Sequence, residues 1–156
     1  MLSYSGLARY IDTARVVALA LAVVIAYASE GRPVGEADTS LIVRTLSNSP
    51  MTPDSHVQAH FTECSLVINQ AGRFEQKQLV LPLARLDEHS FRVIQDAEWG
   101  WFVEAHAQQR QHVIESTTAK RSDRLAEVYL HVCDQKSAER LRDALVRVVH
   151  SCRRSR

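Results

Sequence analysis

Glycine and proline are scarce in this chain, with five and four residues among 156, and cysteine occurs only three times. No phosphate-cradling glycine loop can be assembled from it, and the Gly-x-Ser-x-Gly, His-Glu-x-x-His and Cys-x-x-Cys signatures are all missing. Nucleotide-binding loops, nucleophile elbows and zinc-protease helices therefore have no foothold in the sequence. Neither sign of charge is in excess, with 19 Lys plus Arg against 18 Asp plus Glu. A near-neutral chain carries no electrostatic footprint for nucleic acid and no broad basic face for anionic membrane. No apolar run reaches the roughly 17–25 residues that span a bilayer as a helix. Internal repeats and low-complexity tracts are lacking too. With 46% hydrophobic and 24% charged residues, the composition is that of one globular domain.

The longest apolar run is Val16 to Ala28. Arg9 and Arg15 precede it, and it closes on Ala26, Tyr27, Ala28 and Ser29, which fits the small-residue rule for a secretory cleavage site. Residues 1 to 28 are read as a signal helix for export, to the periplasm in a bacterium; a retained single-pass membrane anchor is the alternative. Loss of Arg9, Arg15 and Asp12 with that segment leaves residues 29 to 156 evenly balanced in charge. Such a length suffices to bury a core.

Residues 29 to 55 form a lead-in and linker. Ser29 to Asp38 carries Gly31, Pro33 and Gly35 and is expected to be flexible. Thr39 to Leu46 is read as a short helix, and Asn48 to Asp54, with Pro50 and Pro53, as a linker. From His56 the apolar period changes to two. Val57, Ala59 and Phe61 share one parity, Cys64, Leu66 and Ile68 the other, so a turn or bulge is expected at Thr62 and Glu63. Gln78 to Leu83, Phe91 to Gln95, Trp99 to Ala105, Gln111 to Glu115 and Leu125 to Cys133 follow as strands, with Thr117 to Arg124 as a loop. Near the end, Ala138, Leu141, Leu145, Val148, Val149 and Cys152 line one face of a helix from Ser137 to Cys152, and Glu139, Arg140, Arg142, Asp143 and Arg147 take the other. The strands leave no room for crossover helices, so the sheet must be mostly antiparallel. The expected class is α+β, about seven strands covered by one C-terminal amphipathic helix.

This order of elements, from His56 to Cys152, resembles the pleckstrin-homology-like superfold, an antiparallel β-barrel plugged by a C-terminal helix. The segments Phe61 to Ile68, Pro82 to Phe91 and Ser137 to Cys152 are similar to bacterial exported domains of unknown function, in which a Cys on an early strand and a Cys ending the last helix recur. The resemblance implies a PH-like domain over residues 56 to 156 and a disulfide from Cys64 to Cys152, with no activity attached. Parity points the same way: Cys64 falls on the inward parity of Leu66 and Ile68, and Cys152 on the apolar face of the helix. Cys133 falls on the strand face opposite Val128, Leu130 and Val132. Three reduced thiols, or a Cys133–Cys152 pair, are the alternatives.

Side chains that could carry chemistry are few. His56 and His60 have helical ligand spacing, but on a strand they stand about 13 Å apart and cannot share an ion. His131 and Cys133 share a strand face and are the only place for a metal-binding protein or enzyme in this reading, although no further ligands are indicated. No cofactor and no catalytic residue are assigned. Trp99 and Trp101, on one strand parity with Val103, together with Lys120, Arg121 and Arg124, form the possible ligand surface; core packing of the tryptophans and plain solvation of the basic loop are the simpler accounts. The expectation is a non-catalytic exported binding or scaffolding domain at the cell envelope, holding a protein, peptide or lipid-like partner, with no nucleic-acid ligand. Membrane contact is expected only if residues 1 to 28 are retained.

Overall fold

Glu36, Asp38 and the apolar residues Ile42 and Leu46 set up the first described element, helix α1 (Glu36–Ser47), in a computed structural model that describes residues 35–73 and 75–155. The expected signal segment, residues 1 to 28, and the first residues of the lead-in lie outside the described residues. Helix α1 is longer than the Thr39 to Leu46 expectation because its first turn takes in acidic Glu36 and Asp38, which complement the positive end of the helix. One face of α1 buries Ile42 and Leu46 in the common core.

Eight strands follow: β1 (His56–Thr62), β2 (Ser65–Ala71), β3 (Gln76–Pro82), β4 (Arg92–Asp96), β5 (Gly100–His106), β6 (Ile114–Thr118), β7 (Ser122–Leu125) and β8 (Glu127–Val132). All pairings are antiparallel, and they form a five-stranded sheet, β1-β2-β3-β6-β7, and a three-stranded sheet, β4-β5-β8. The α+β class is as expected, whereas the sheet is not closed into one barrel among the described residues. Two breaks keep it open. After β3 the chain enters a 3-10 turn at Leu83–Arg85, and an isolated bridge, Leu86 to Ala107, takes the place of a continuous ladder between that connection and the other sheet. After β7 the single residue Ala126 carries the chain across, so that β8 pairs with β5 and not with β7.

The eighth strand comes from the segment expected to be a loop. Thr117 to Arg124 contains most of the β6–β7 hairpin, its turn fixed by Thr118 N–H donating to the carbonyl of Arg121 at 2.8 Å. Ser116, Thr117, Thr118 and Ser122 hide the hairpin from an apolar pattern, although β-branched threonine suits a strand.

At the other hairpin the parity change is a tight turn. Thr62 faces Ser65 in register, and Glu63 between them takes a left-handed φ of 53°. Val57 and Ala59 before the turn and Leu66 and Ile68 after it all point into the core. Cys64 sits in this turn and is bonded to Cys152, with the two Cα atoms 5.7 Å apart and 88 positions between them in the chain.

The C-terminal helix α2 (Gln135–Arg154) extends the Ser137 to Cys152 expectation at both ends. Asp134 caps it: its carboxylate accepts from Ser137 N–H at 2.9 Å and from the Ser137 hydroxyl at 2.7 Å, and these bonds hold its pKa below the ordinary carboxylate value. Ala138, Leu141, Ala144, Leu145, Val148, Val149 and Cys152 are buried on its inner face. That face packs on α1, on the Leu83–Arg85 turn and on the inner side of β4 and β5. Arg147, on the outer face, grips Asp38 of α1 through two nitrogens, the shortest contact being 2.7 Å.

Candidate functional site

Period two divides the small sheet into an inward and an outward face. Val103 and Ala105 of β5 and Val128, Leu130 and Val132 of β8 turn inward. The intervening residues form cross-strand rows on the outer face: Arg92 beside Glu104 beside Tyr129, Ile94 beside Phe102 beside His131, and His106 beside Glu127.

One end of this face is aromatic. The β4–β5 loop is shaped by Asp96, whose Oδ1 accepts from the N–H groups of Glu98 and Trp99, each at 2.8 Å, and both bonds lower its pKa. The loop closes on Gly100, whose φ of 89° is open to glycine at little cost. Trp99 is thereby held on the surface, 48% exposed, and Tyr129 is 47% exposed. His131 ties the region together, its Nδ1 lying 3.1 Å from the Ser49 carbonyl oxygen and its Nε2 3.0 Å from that of Trp99. Its ring meets Phe102 edge-on at 5.4 Å.

The other end carries carboxylates around an imidazole. His106 Nε2 is 3.2 Å from Glu104 Oε1, and Nδ1 is 3.6 Å from Glu127 Oε2. Nδ1 is sealed from solvent and makes no hydrogen bond. The backbone N–H of His106 donates to Ser90 Oγ at 2.9 Å, which fixes this end of β5. Tyr129 donates its hydroxyl proton to Glu104 at 3.3 Å, and Arg110 stands 3.5 Å from Glu127. Partial desolvation, followed by the charges of Glu127 and Glu104, pushes the Tyr129 phenol pKa up. A cleft of about 480 Å³ opens over the group, with Arg92, Ser90 and Arg110 among its walls.

The residues singled out in the sequence are dispersed over the molecule. Trp101 turns toward the core with Val103, whereas Trp99 precedes β5 and stands out in the loop, so the two do not present one platform. Lys120 and Arg121 lie at the β6–β7 turn and Arg124 on β7, all in the other sheet. Arg121 is engaged by Asp123 at 2.6 Å, and Arg124 lies 3.9 Å from Glu115. Cys133 is a free, exposed thiol that points to the Asn48 carbonyl at 3.4 Å and to Ser49 Oγ at 3.6 Å, while the His131 ring is occupied by two carbonyl oxygens.

Sequence reasoning missed Glu104, His106 and Glu127. A Glu-x-His pair on a strand was the available signal, since alternate residues share a face. Glu127 joins them only through the β5–β8 register, which puts it directly opposite His106. Neither a protein-family model, nor a curated protein, nor a solved structure matches this chain.

Proposed function

We propose that this chain is a non-catalytic exported binding domain of an oxidising compartment such as the periplasm, which holds a peptide or protein partner on the outer face of its three-stranded sheet. The observation that carries this reading is the pair of large aromatic side chains, Tyr129 on β8 and Trp99 in the β4–β5 loop at the end of that sheet, each left about half exposed. Exposed aromatics of this size are typical anchors of recognition surfaces. Rigidity supports the same reading, because the Asp96 loop and the His131 contacts fix the aromatic end before any partner arrives, which lowers the entropic cost of binding. The Cys64–Cys152 disulfide favours an oxidising compartment. The likeness to pleckstrin-homology-like domains rests on the order of strands followed by a covering helix alone, since the strands form two open sheets among the described residues.

Quantitative cross-linking in envelope extract tests the reading. A Trp99→Ala, Tyr129→Ser variant is expected to lose the partners recovered with the unaltered chain, while a Glu139→Ala change on the outer side of α2 keeps them. An identical set from all three would overturn it.

The second reading, an interaction domain on a membrane anchor, rests on the Val16 to Ala28 run. Intact mass of the protein recovered from the envelope separates the two, since a start at Ser29 means cleavage and a start at Met1 means retention.

A further inference from the structure

At the polar end of the same sheet, Glu104, His106 and Glu127 form a group that partner binding at the aromatic end does not use. We infer that these three side chains make a binding site for a divalent first-row transition ion, with Zn²⁺ the suitable probe. One ligand atom from each residue lies within 4.8 Å of the other two. Bonds of about 2.0–2.2 Å to a tetrahedral ion set ligand atoms roughly 3.3–3.6 Å apart, so the coordination of an ion on Nδ1 beside Glu127 is completed when the Glu104 side chain, now 3.2 Å from Nε2, turns across to the same side of the ring. Their backbones are already fixed: Glu104 and His106 are alternate residues of a central strand, and Glu127 stands opposite His106 in the register, held there by the bond from Ala107 N–H to the Ala126 carbonyl at 2.8 Å.

The donor chemistry agrees with the geometry. An imidazole with two carboxylates suits zinc and its neighbours, whereas calcium and magnesium favour oxygen ligands alone. His106 is 15% exposed and its Nδ1, sealed from solvent, makes no hydrogen bond; with the ring proton on Nε2, toward Glu104, Nδ1 offers a lone pair that a metal ion would satisfy. The Tyr129 hydroxyl already holds Glu104 from behind, as outer-shell donors hold metal-ligating carboxylates elsewhere. Three protein ligands leave a coordination position for water or for a ligand entering from the cleft. Arg110, 3.5 Å from Glu127, is the competing cation that the ion would displace.

Equilibrium dialysis of the full, disulfide-bonded chain against Zn²⁺ tests the site. One equivalent is expected to bind, and Glu104→Gln with Glu127→Gln, a nearly isosteric pair of changes, is expected to weaken it by at least roughly tenfold, as is His106→Ala. His56→Ala with His60→Ala serves as the control and keeps the equivalent. Arg110→Ala leaves all three ligands in place and is expected to tighten binding severalfold, an outcome that does not depend on the other variants folding. Binding that survives the glutamine changes, the absence of a bound equivalent, or an Arg110→Ala variant that binds no tighter would each overturn the site. Tyr129 touches both ends through its bond to Glu104, but zinc is titrated with no partner present and Trp99 is untouched by these variants, so partner binding stands or falls separately.

Discussion

Asp38 and Arg147 are 109 positions apart in the chain, and their contact is the outermost fastening between the two helices. Hydrogen bonds from Arg147 lower the Asp38 pKa from its ordinary 3.8; partial desolvation opposes this more weakly, and the Arg147 charge adds to the lowering. A folded-state pKa below the unfolded one means that the contribution is fully present above the unfolded value and is lost as pH falls through the folded value. Arg147 is more than half exposed, so solvent screening holds the pair to about 1 kcal/mol or less. Urea unfolding of an Arg147→Met variant is expected to show that deficit at pH 7 and to show it vanish once Asp38 is protonated in strong acid. A deficit unchanged by pH would assign the effect to packing of the arginine stem. Among individual residues, cysteine was the most legible, because inward parity in a strand and in a helix is a local property. The Glu104–His106–Glu127 group was not, since a cross-strand partner is fixed only when two distant segments choose their register.

Helix α2 depends on both its apolar face and its covalent fastening. A disulfide closing 88 positions contributes roughly 4–5 kcal/mol in the chain-entropy model, a large share of the roughly 5–15 kcal/mol that holds a domain together. Reduction with a mild thiol, or Cys64→Ala with Cys152→Ala, is expected to lower the unfolding free energy by about that amount, read as a fall in the urea midpoint with a steeper slope, because the released unfolded chain exposes more surface. A loss below about 1 kcal/mol would mean that the reduced chain keeps the same contacts without the bond. The elements themselves were legible to different degrees for physical reasons. Six apolar positions from Ala138 to Cys152 gave α2 an unmistakable period, and the parity change at Thr62 marked the first hairpin. The β6–β7 hairpin escaped notice because only Ile114 and Ser116 along β6 are buried, and one of them is polar.

For the whole molecule, antiparallel pairing and the covering helix were readable from the absence of crossover segments. The opening into two sheets was not, since it turns on which edges pair across Ala126 and across the Leu83–Arg85 turn. The disulfide also governs how the domain answers tension. Pulled from residues 35 and 155, the chain passes force from Cys64 straight to Cys152, and everything between them is shunted out of the path. Only α1 and β1, upstream of the bond, can pay out under load. Optical-tweezer traces should therefore show a short extension in oxidising buffer and, after reduction, a further gain of roughly 300 Å of contour for the released 88 positions. Equal extension in both buffers would contradict this path. A domain built this way behaves as a short tether with a protected interior, in which the sheet of β4, β5 and β8 stays folded while its flanking chain is stretched.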